Sequence, residues 1–325
     1  MKKNKNENDT IFLRPKNLND YIGQEKIKNN LKVFISAAKQ RFEVLDHILL
    51  YGAPGLGKTT LANVIANEMK ARIKIINAPS IEKPGDIASI ISLIEANDIL
   101  FIDEIHRLPK NVEEIFYSVM EDYKLITISG NGMDAININI QIPPFTLIGA
   151  TTRIGSLSEP FKNRFGIIEK IDFYSNEEIE KIIIKNSSLL KIKINKKAAN
   201  LIASRSKGTP RIANHLLKRI RDFANVENKN EITVEIANNA LKALKINDLG
   251  LSDVEINYLK TIMNRFKGGP VGIETISLAI GEEAINLEDS YEPYLIKLGF
   301  INRTQRGRIV TNKTYDYFEK NNIKY

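Results

Sequence analysis

The stretch HILLYGAPGLGKTTLANVIANEM (47–69) leaves few folds open to this chain. It reads as an apolar strand, a glycine-rich loop and a helix. Within it Gly52, Gly57, Lys58 and Thr59 fit the spacing G-x-x-x-x-G-K-[ST] in the context that gives that spacing meaning. Glycines let backbone N–H groups wrap a chain of phosphates, and the N-terminus of the following helix adds a favourable dipole. Lys58 is placed to reach the β- and γ-phosphates, and the Thr59 hydroxyl to ligate Mg²⁺; Gly55, Gly57 and Thr60 complete the expected ATP-binding loop. A plain glycine turn before a helix would need none of this coincidence.

Two further runs extend the site. ILFIDEIHRL (99–108) is an apolar strand ending in two adjacent carboxylates, at the edge of a parallel sheet where ligands bind. Asp103 is expected to hold Mg²⁺ through water and Glu104 to polarise the attacking water. Alone, the pair would read equally well as a solvated turn; with a phosphate loop on a neighbouring strand, the catalytic reading wins. FTLIGATTR (145–153) is a strand ending in hydroxyls, where Thr151 or Thr152 is positioned to sense a γ-phosphate or the water, Thr152 being favoured. Arg164 follows the sheet, and Arg211 opens a helix with Thr209 at its N-cap and Pro210 as its first residue. A cation in a first helical turn opposes the helix dipole, so Arg211 calls for an anionic partner, a phosphate or a carboxylate.

The alternation of apolar strands (47–51, 72–78, 98–103, 145–151) with helical stretches predicts a parallel α/β sheet covered by helices in a large domain, 1–174. From Ser175 the pattern becomes consecutive amphipathic helices, opened by a Ser175–Glu178 capping box, and gives a small helical domain, 175–245. The isoleucine-rich helix 177–190 reads as core. INDLGLSD (246–253) leads into a last unit, 246–325, of three helices and a basic hairpin. Residues 1–10 are expected to be disordered. The chain has 325 residues, no cysteine and a formal net charge of +8, which excludes disulfides and cysteine-ligated zinc. His47, His106 and His215 have no partners at metal-ligand spacing, and His106 reads as simply following the glutamate. No run approaches the roughly 18 apolar residues of a membrane span, so a cytoplasmic protein is expected.

LITISGNGMDAININIQI (125–142) is a different element. Period-two alternation on both sides of a Gly-Asn-Gly break predicts a β-hairpin inserted between the acidic strand and the Thr151/Thr152 strand, with its isoleucines on one face. Ile126 and Ile142, near the base, are expected to pack on the core. Ile138 and Ile140 are expected to face outward.

These strings together resemble the RuvB family of AAA+ motors, which drive branch migration of Holliday junctions. The resemblance runs from LRPKNLNDYIGQ through FIDEIHRL, PPFTLIGATTR and GTPRIANHLLKR to YEPYLIKLGFINRTQRGR, essentially everything after Ile11. It implies that Leu13, Arg14 and Tyr174 line the nucleotide base and that Glu121, Asp122 and Tyr123 lie near the nucleotide. It makes Arg164 an arginine finger acting on a neighbouring subunit's ATP within a homohexamer, and Arg211 a second sensor. The last unit becomes a winged-helix head whose Arg303, Arg308 and Arg306 meet DNA phosphates. The hairpin becomes the docking site, through Ile138 and Ile140, for a RuvA-like junction-binding protein, and a RuvC-like resolvase is a further implied partner. Ala53 stands where the family has a second proline, and Asn163 where it has aspartate. A clamp-loader-like ATPase is the competing reading; the winged-helix end speaks against it.

Overall fold

The structure is a computed structural model that describes residues 13–129, 136–227 and 229–323; the expected disorder of 1–10 lies outside them. By its contacts the chain divides into two compact units. The first takes in 1–52 and 56–172, and the second 53–55 and 173–325, so the helical stretch and the last 75 or so residues belong to one unit.

In the first unit, α1 (Glu25–Arg41) precedes β1 (Ile48–Tyr51), α2 (Lys58–Met69), β2 (Ile73–Asn77), α3 (Pro84–Ile91), β3 (Ile99–Asp103) and α4 (Lys110–Asp122). The hairpin strands β4 (Lys124–Ser129) and β5 (Ile136–Gln141) come next, followed by β6 (Thr146–Thr151), the one-turn α5 (Glu159–Lys162) and β7 (Ile167–Lys170). The sheet is parallel, in the order β2-β3-β6-β1-β7. Its central strands are buried on both faces, as at Ile48, Leu49, Leu50, Leu100, Phe101 and Ile102, which is why they read as unbroken apolar runs. One expectation is corrected here. The phosphate-loop strand and the acidic strand are not neighbours; β6 lies between them.

The hairpin pairs antiparallel, Leu125 opposite Ile140 and Ile126 opposite Asn139. Residues directly opposite share a face, so Ile126 and Ile140 lie on opposite faces, and the single isoleucine face expected from the alternation does not form. Leu125 and Ile142 join the core, as expected for Ile142. Ile126 does not; it is 49% exposed, because the register turns it away from buried Leu125. Ile140 is 41% exposed, and the side chain of Ile138 lies outside the described residues.

In the second unit, the helices α6 (Asn176–Leu189), α7 (Lys196–Arg205), α8 (Pro210–Val226) and α9 (Val234–Ala243) pack together, with the two-residue strands β8 (Lys193–Ile194) and β9 (Glu231–Ile232) paired between them. The capping box forms, Ser175 N–H donating to Glu178 (2.8 Å) and Glu178 N–H to Ser175 Oγ (3.2 Å). Thr209 occupies its N-cap position, but its hydroxyl makes no cap and instead donates to the Lys207 carbonyl (3.4 Å). Next are α10 (Asp253–Arg265), α11 (Ile273–Ile280) and α12 (Ala284–Asn286), which runs through a π-helical segment, Leu287–Tyr291, into α13 (Glu292–Lys297). The wing β10 (Ile301–Thr304) and β11 (Gly307–Val310) precedes α14 (Asn312–Lys320). A core of Tyr258, Leu259, Ile262, Leu295, Phe300 and Phe318 fills this part.

His47, just before β1, fastens the hairpin base to the sheet. Its Nε2 donates to the Met120 carbonyl (3.1 Å), and its Nδ1 accepts from Leu147 N–H (2.9 Å). Acceptance at Nδ1 requires the neutral ring, and burial holds its pKa below the ordinary 6.5. A histidine with a depressed folded pKa contributes stability that is whole above the unfolded value and is lost as pH falls below it. The melting temperature of the wild type is therefore expected to fall as pH drops below 6.5. His47→Phe should melt lower at neutral pH, from the loss of partners worth about 1–3 kcal/mol each, and show a shallower fall over that window. Parallel melting curves for the two proteins from pH 7.5 to 5 would count against this role.

Candidate active site and wing

The phosphate loop is shaped by glycines that no other residue can replace. Gly52 has φ 147°, and a Cβ there would lie 2.3 Å from the Ile171 carbonyl oxygen. Gly57 caps α2 at φ 104°. Lys58, the first residue of α2, is buried, and its ammonium donates to the Gly52 carbonyl at 2.8 Å. Thr60 follows Thr59 in the first turn of α2. Gly55 belongs to the second unit, where Arg211 N–H donates to its carbonyl (3.3 Å).

The acidic strand delivers its carboxylates beside this loop. Thr59 Oγ1 donates to Asp103 Oδ2 at 3.2 Å, joining the two side chains expected to share a metal. Glu104 takes the left-handed conformation, φ 51°, unusual for a residue with a side chain. That turn sends the chain into a one-turn helix, Ile105–Arg107, directly after the acid pair. Thr152 Oγ1 donates to Glu104 Oε2 at 3.4 Å, whereas Thr151 is fully buried and bonds to His106 (2.9 Å) and to Arg153 N–H (2.9 Å). The two hydroxyls left open by the sequence are thus separated by geometry: Thr152 meets the glutamate and Thr151 is internal. A glycine-shaped loop with a buried lysine, and a hydroxyl–carboxylate pair beside it, fit a nucleotide triphosphate with one divalent ion. Mg²⁺ needs few protein ligands and keeps phosphate and water oxygens for the rest.

Arg164 is held within its own unit. Its guanidinium lies 4.2 Å from the centre of the Tyr117 ring, pairs with Glu121 (3.2 Å) and donates to the Pro160 carbonyl (2.7 Å). Its Nε is buried with no hydrogen-bond partner among the described residues. Tyr117 in turn donates to Glu113 (3.0 Å), which Ser158 also engages. The sequence did not single out Tyr117, Glu113 or Ser158; an aromatic one turn before Glu121 was the signal available. Glu121 and Asp122 are exposed, and Tyr123 ends α4 at φ 53° against Phe145 and His47. Leu13 and Tyr174 are buried, and Arg14 and Arg211 exposed.

The wing contains an unexpected clamp. Arg303 and Arg308 face each other across the two strands, and both reach Glu292, which is fully buried: Arg303 Nε at 2.6 Å, Arg308 Nε at 2.8 Å. Tyr258 donates to the same carboxylate at 2.6 Å, and burial pushes its phenol pKa upward. Arg308 also pairs with Glu288 (2.8 Å), and its side chain is 13% exposed against 41% for Arg303. Arg306 is exposed at the turn. Arg308 therefore anchors the wing from inside, while Arg306 points its charge to solvent. Removing one partner of a buried pair costs about 3–5 kcal/mol, and a change at an exposed site about 0.5 or less. Arg308→Ala should accordingly lower the melting temperature by several degrees and Arg306→Ala should not. Equal melting temperatures would contradict the anchor.

Three family models match consecutive parts of the chain: the Holliday junction DNA helicase RuvB P-loop domain over residues 13–171, the RuvB AAA lid domain over 174–247 and the RuvB C-terminal winged helix domain over 248–319. The Holliday junction branch migration complex subunit RuvB of Fusobacterium nucleatum is 54% identical over 312 residues, 96% of this chain and 94% of that protein. Among solved structures, the Thermotoga maritima RuvB Holliday junction branch migration motor superposes with a TM-score of 0.87 at 47% identity, covering 95% of this chain and 98% of that one. An alanine-to-serine variant of the same protein gives 0.88 at the same identity and coverage.

Proposed function

The chain belongs to the RuvB family of P-loop ATP hydrolases, and we propose that it works as a homohexameric ring that moves the duplex DNA arms of a Holliday junction. The observation that carries the hydrolytic part is the join of Thr59 to Asp103 and of Thr152 to Glu104, from the start of α2 and the ends of β3 and β6. In this reading the glycine loop and Lys58 bind and orient the β- and γ-phosphates. Thr59 and Asp103 hold Mg²⁺, which when bound neutralises charge on the phosphate oxygens. Glu104 polarises the attacking water, and Thr152 keeps the carboxylate aimed. Arg211 serves as the second sensor, with Leu13, Arg14 and Tyr174 around the base, and Glu121, Asp122 and Tyr123 near the nucleotide.

Arg164 acts on the ATP of an adjacent copy. The support is its bracket of Tyr117, Glu121 and Pro160, which presents the guanidinium yet leaves Nε without a hydrogen-bond partner among the described residues. We assign three working parts: the ATPase domain (1–174), the helical lid (175–245) and a winged-helix head (246–325). The head holds DNA by its phosphates through Arg306 and the exposed edge of Arg303, with Arg308 as their support. Exposed Ile140, with Ile138 beside it in sequence, forms the docking face for a RuvA-like partner. Work in recombination and repair, a RuvC-like resolvase as a further partner and a cytoplasmic location belong to the same reading. No helix among the described residues is long and apolar enough to cross a membrane.

Arg164→Ala should keep ATP binding and lower turnover by about 10³–10⁵ under ring-forming conditions; hydrolysis equal to wild type would remove the finger assignment. Changing Ile138 and Ile140 together to Ser should spare basal hydrolysis and abolish partner-dependent unwinding of a synthetic four-way junction. Unwinding at the wild-type rate would move the docking face elsewhere.

A further inference from the structure

We propose that His106 is a positioning residue for Glu104, holding the water-polarising carboxylate through its Nδ1. The inference rests on the reading of Glu104 just given and adds a residue to it.

The path begins at Gly149 in β6. A Cβ there would lie 2.8 Å from Cδ1 of Ile105, so the missing side chain lets the turn after Glu104 settle directly on the strand. Ile105 is fully buried against it. One residue on, His106 is carried to the end of β6, where its Nδ1 is 2.9 Å from Thr151 Oγ1 and 3.4 Å from Glu104 Oε2. Thr151 is itself fixed, fully buried and accepting from Arg153 N–H at 2.9 Å. The imidazole side chain is 10% exposed and the glutamate 34%. A rigid, buried hydroxyl therefore sets the ring, and the ring faces the carboxylate.

The chemistry of the ring selects how it acts. A bare Nδ1 would turn a lone pair toward Glu104 and repel it. A hydrogen on Nδ1 donates to Thr151 and to Glu104 together, and the neighbouring carboxylate favours that form. The backbone of Glu104 sits at φ 51°, outside strand and helix geometry, so side-chain contacts aim its carboxylate. Thr152 donates to the same Oε2 at 3.4 Å. Thr152, just past β6, and His106, on the turn that packs against β6, then both approach the same carboxylate oxygen, beside the strand that lies between β1 and β3.

The test uses the full chain, with DNA present, and compares His106→Asn, His106→Gln and His106→Ala for ATP turnover, KM for ATP and melting temperature. Asparagine can place an N–H where Nδ1 stands, whereas glutamine reaches one bond further, to the place of Nε2. Supporting residues of this kind at reactive centres are typically worth about 10–100-fold. The expected result is a kcat lowered by that amount in the Ala and Gln variants, KM within about twofold of wild type, and substantial recovery in the Asn variant at a melting temperature equal to that of Gln. Turnover equal to wild type in all three, or Asn as slow as Ala and Gln, would overturn the inference. So would a raised KM at unchanged kcat. Glu104→Gln is measured alongside. If it hydrolyses ATP as wild type does, the underlying reading of Glu104 fails; if it is inactive while the His106 variants are normal, only the role of His106 fails.

Discussion

The position of β6 between β1 and β3 is the constraint on which the rest depends. A parallel sheet sends all its strands' carboxyl ends to one edge, and the order β2-β3-β6-β1-β7 decides which ends meet there. β1 runs into the glycine loop, β3 ends in Asp103, and β6 ends in Thr151 beneath Thr152. With β6 in the middle, its hydroxyls stand where a side chain has to support the acid without occupying the phosphate pocket. The Thr59–Asp103 bond joins the helix that follows β1 to the end of β3.

A second constraint comes from an arginine whose buried Nε has no hydrogen-bond partner among the described residues. Arg164 is stacked on Tyr117 and paired with Glu121, an arrangement that costs flexibility and holds a cation partly buried. A buried guanidinium N–H without an acceptor costs about 1–3 kcal/mol, and the acceptor proposed for it is the nucleotide of an adjacent copy. The wing shows the opposite solution. There Glu292 is fully buried and satisfied by two arginines and a tyrosine, and the charge faces inward. The same residue type thus reads as a reagent in one unit and as a strut in the other.

Much of the first unit was legible in the sequence for a physical reason. Strands covered on both faces are continuous apolar runs, and HILLY, DILFID and FTLIGAT became β1, β3 and β6 nearly to the residue. β7 is not legible as a strand, because IIEK at the sheet edge has only two apolar residues before two charged ones and resembles a loop exit. The phosphate loop and the acid pair were legible because their chemistry demands fixed residue types at fixed spacing. His106 was dismissed, since nothing local says that the turn after Glu104 folds onto a glycine of another strand. Ile126 was misplaced because alternation gives the period of each strand but not the register between them. The clamp at Glu292 was equally silent, as a carboxylate in a helical sequence carries no mark of its burial.

If Arg164 of another copy completes the hydrolytic site at the ends of β1, β3 and β6, two inactive proteins should restore each other when mixed. Arg164→Ala retains an intact loop and Glu104, and Glu104→Gln retains the arginine. Each alone is expected to hydrolyse ATP at background rate, and an equimolar mixture under ring-forming conditions to regain a fraction of wild-type turnover. A mixture as inactive as its components, in rings shown to contain both variants, would contradict completion by another copy.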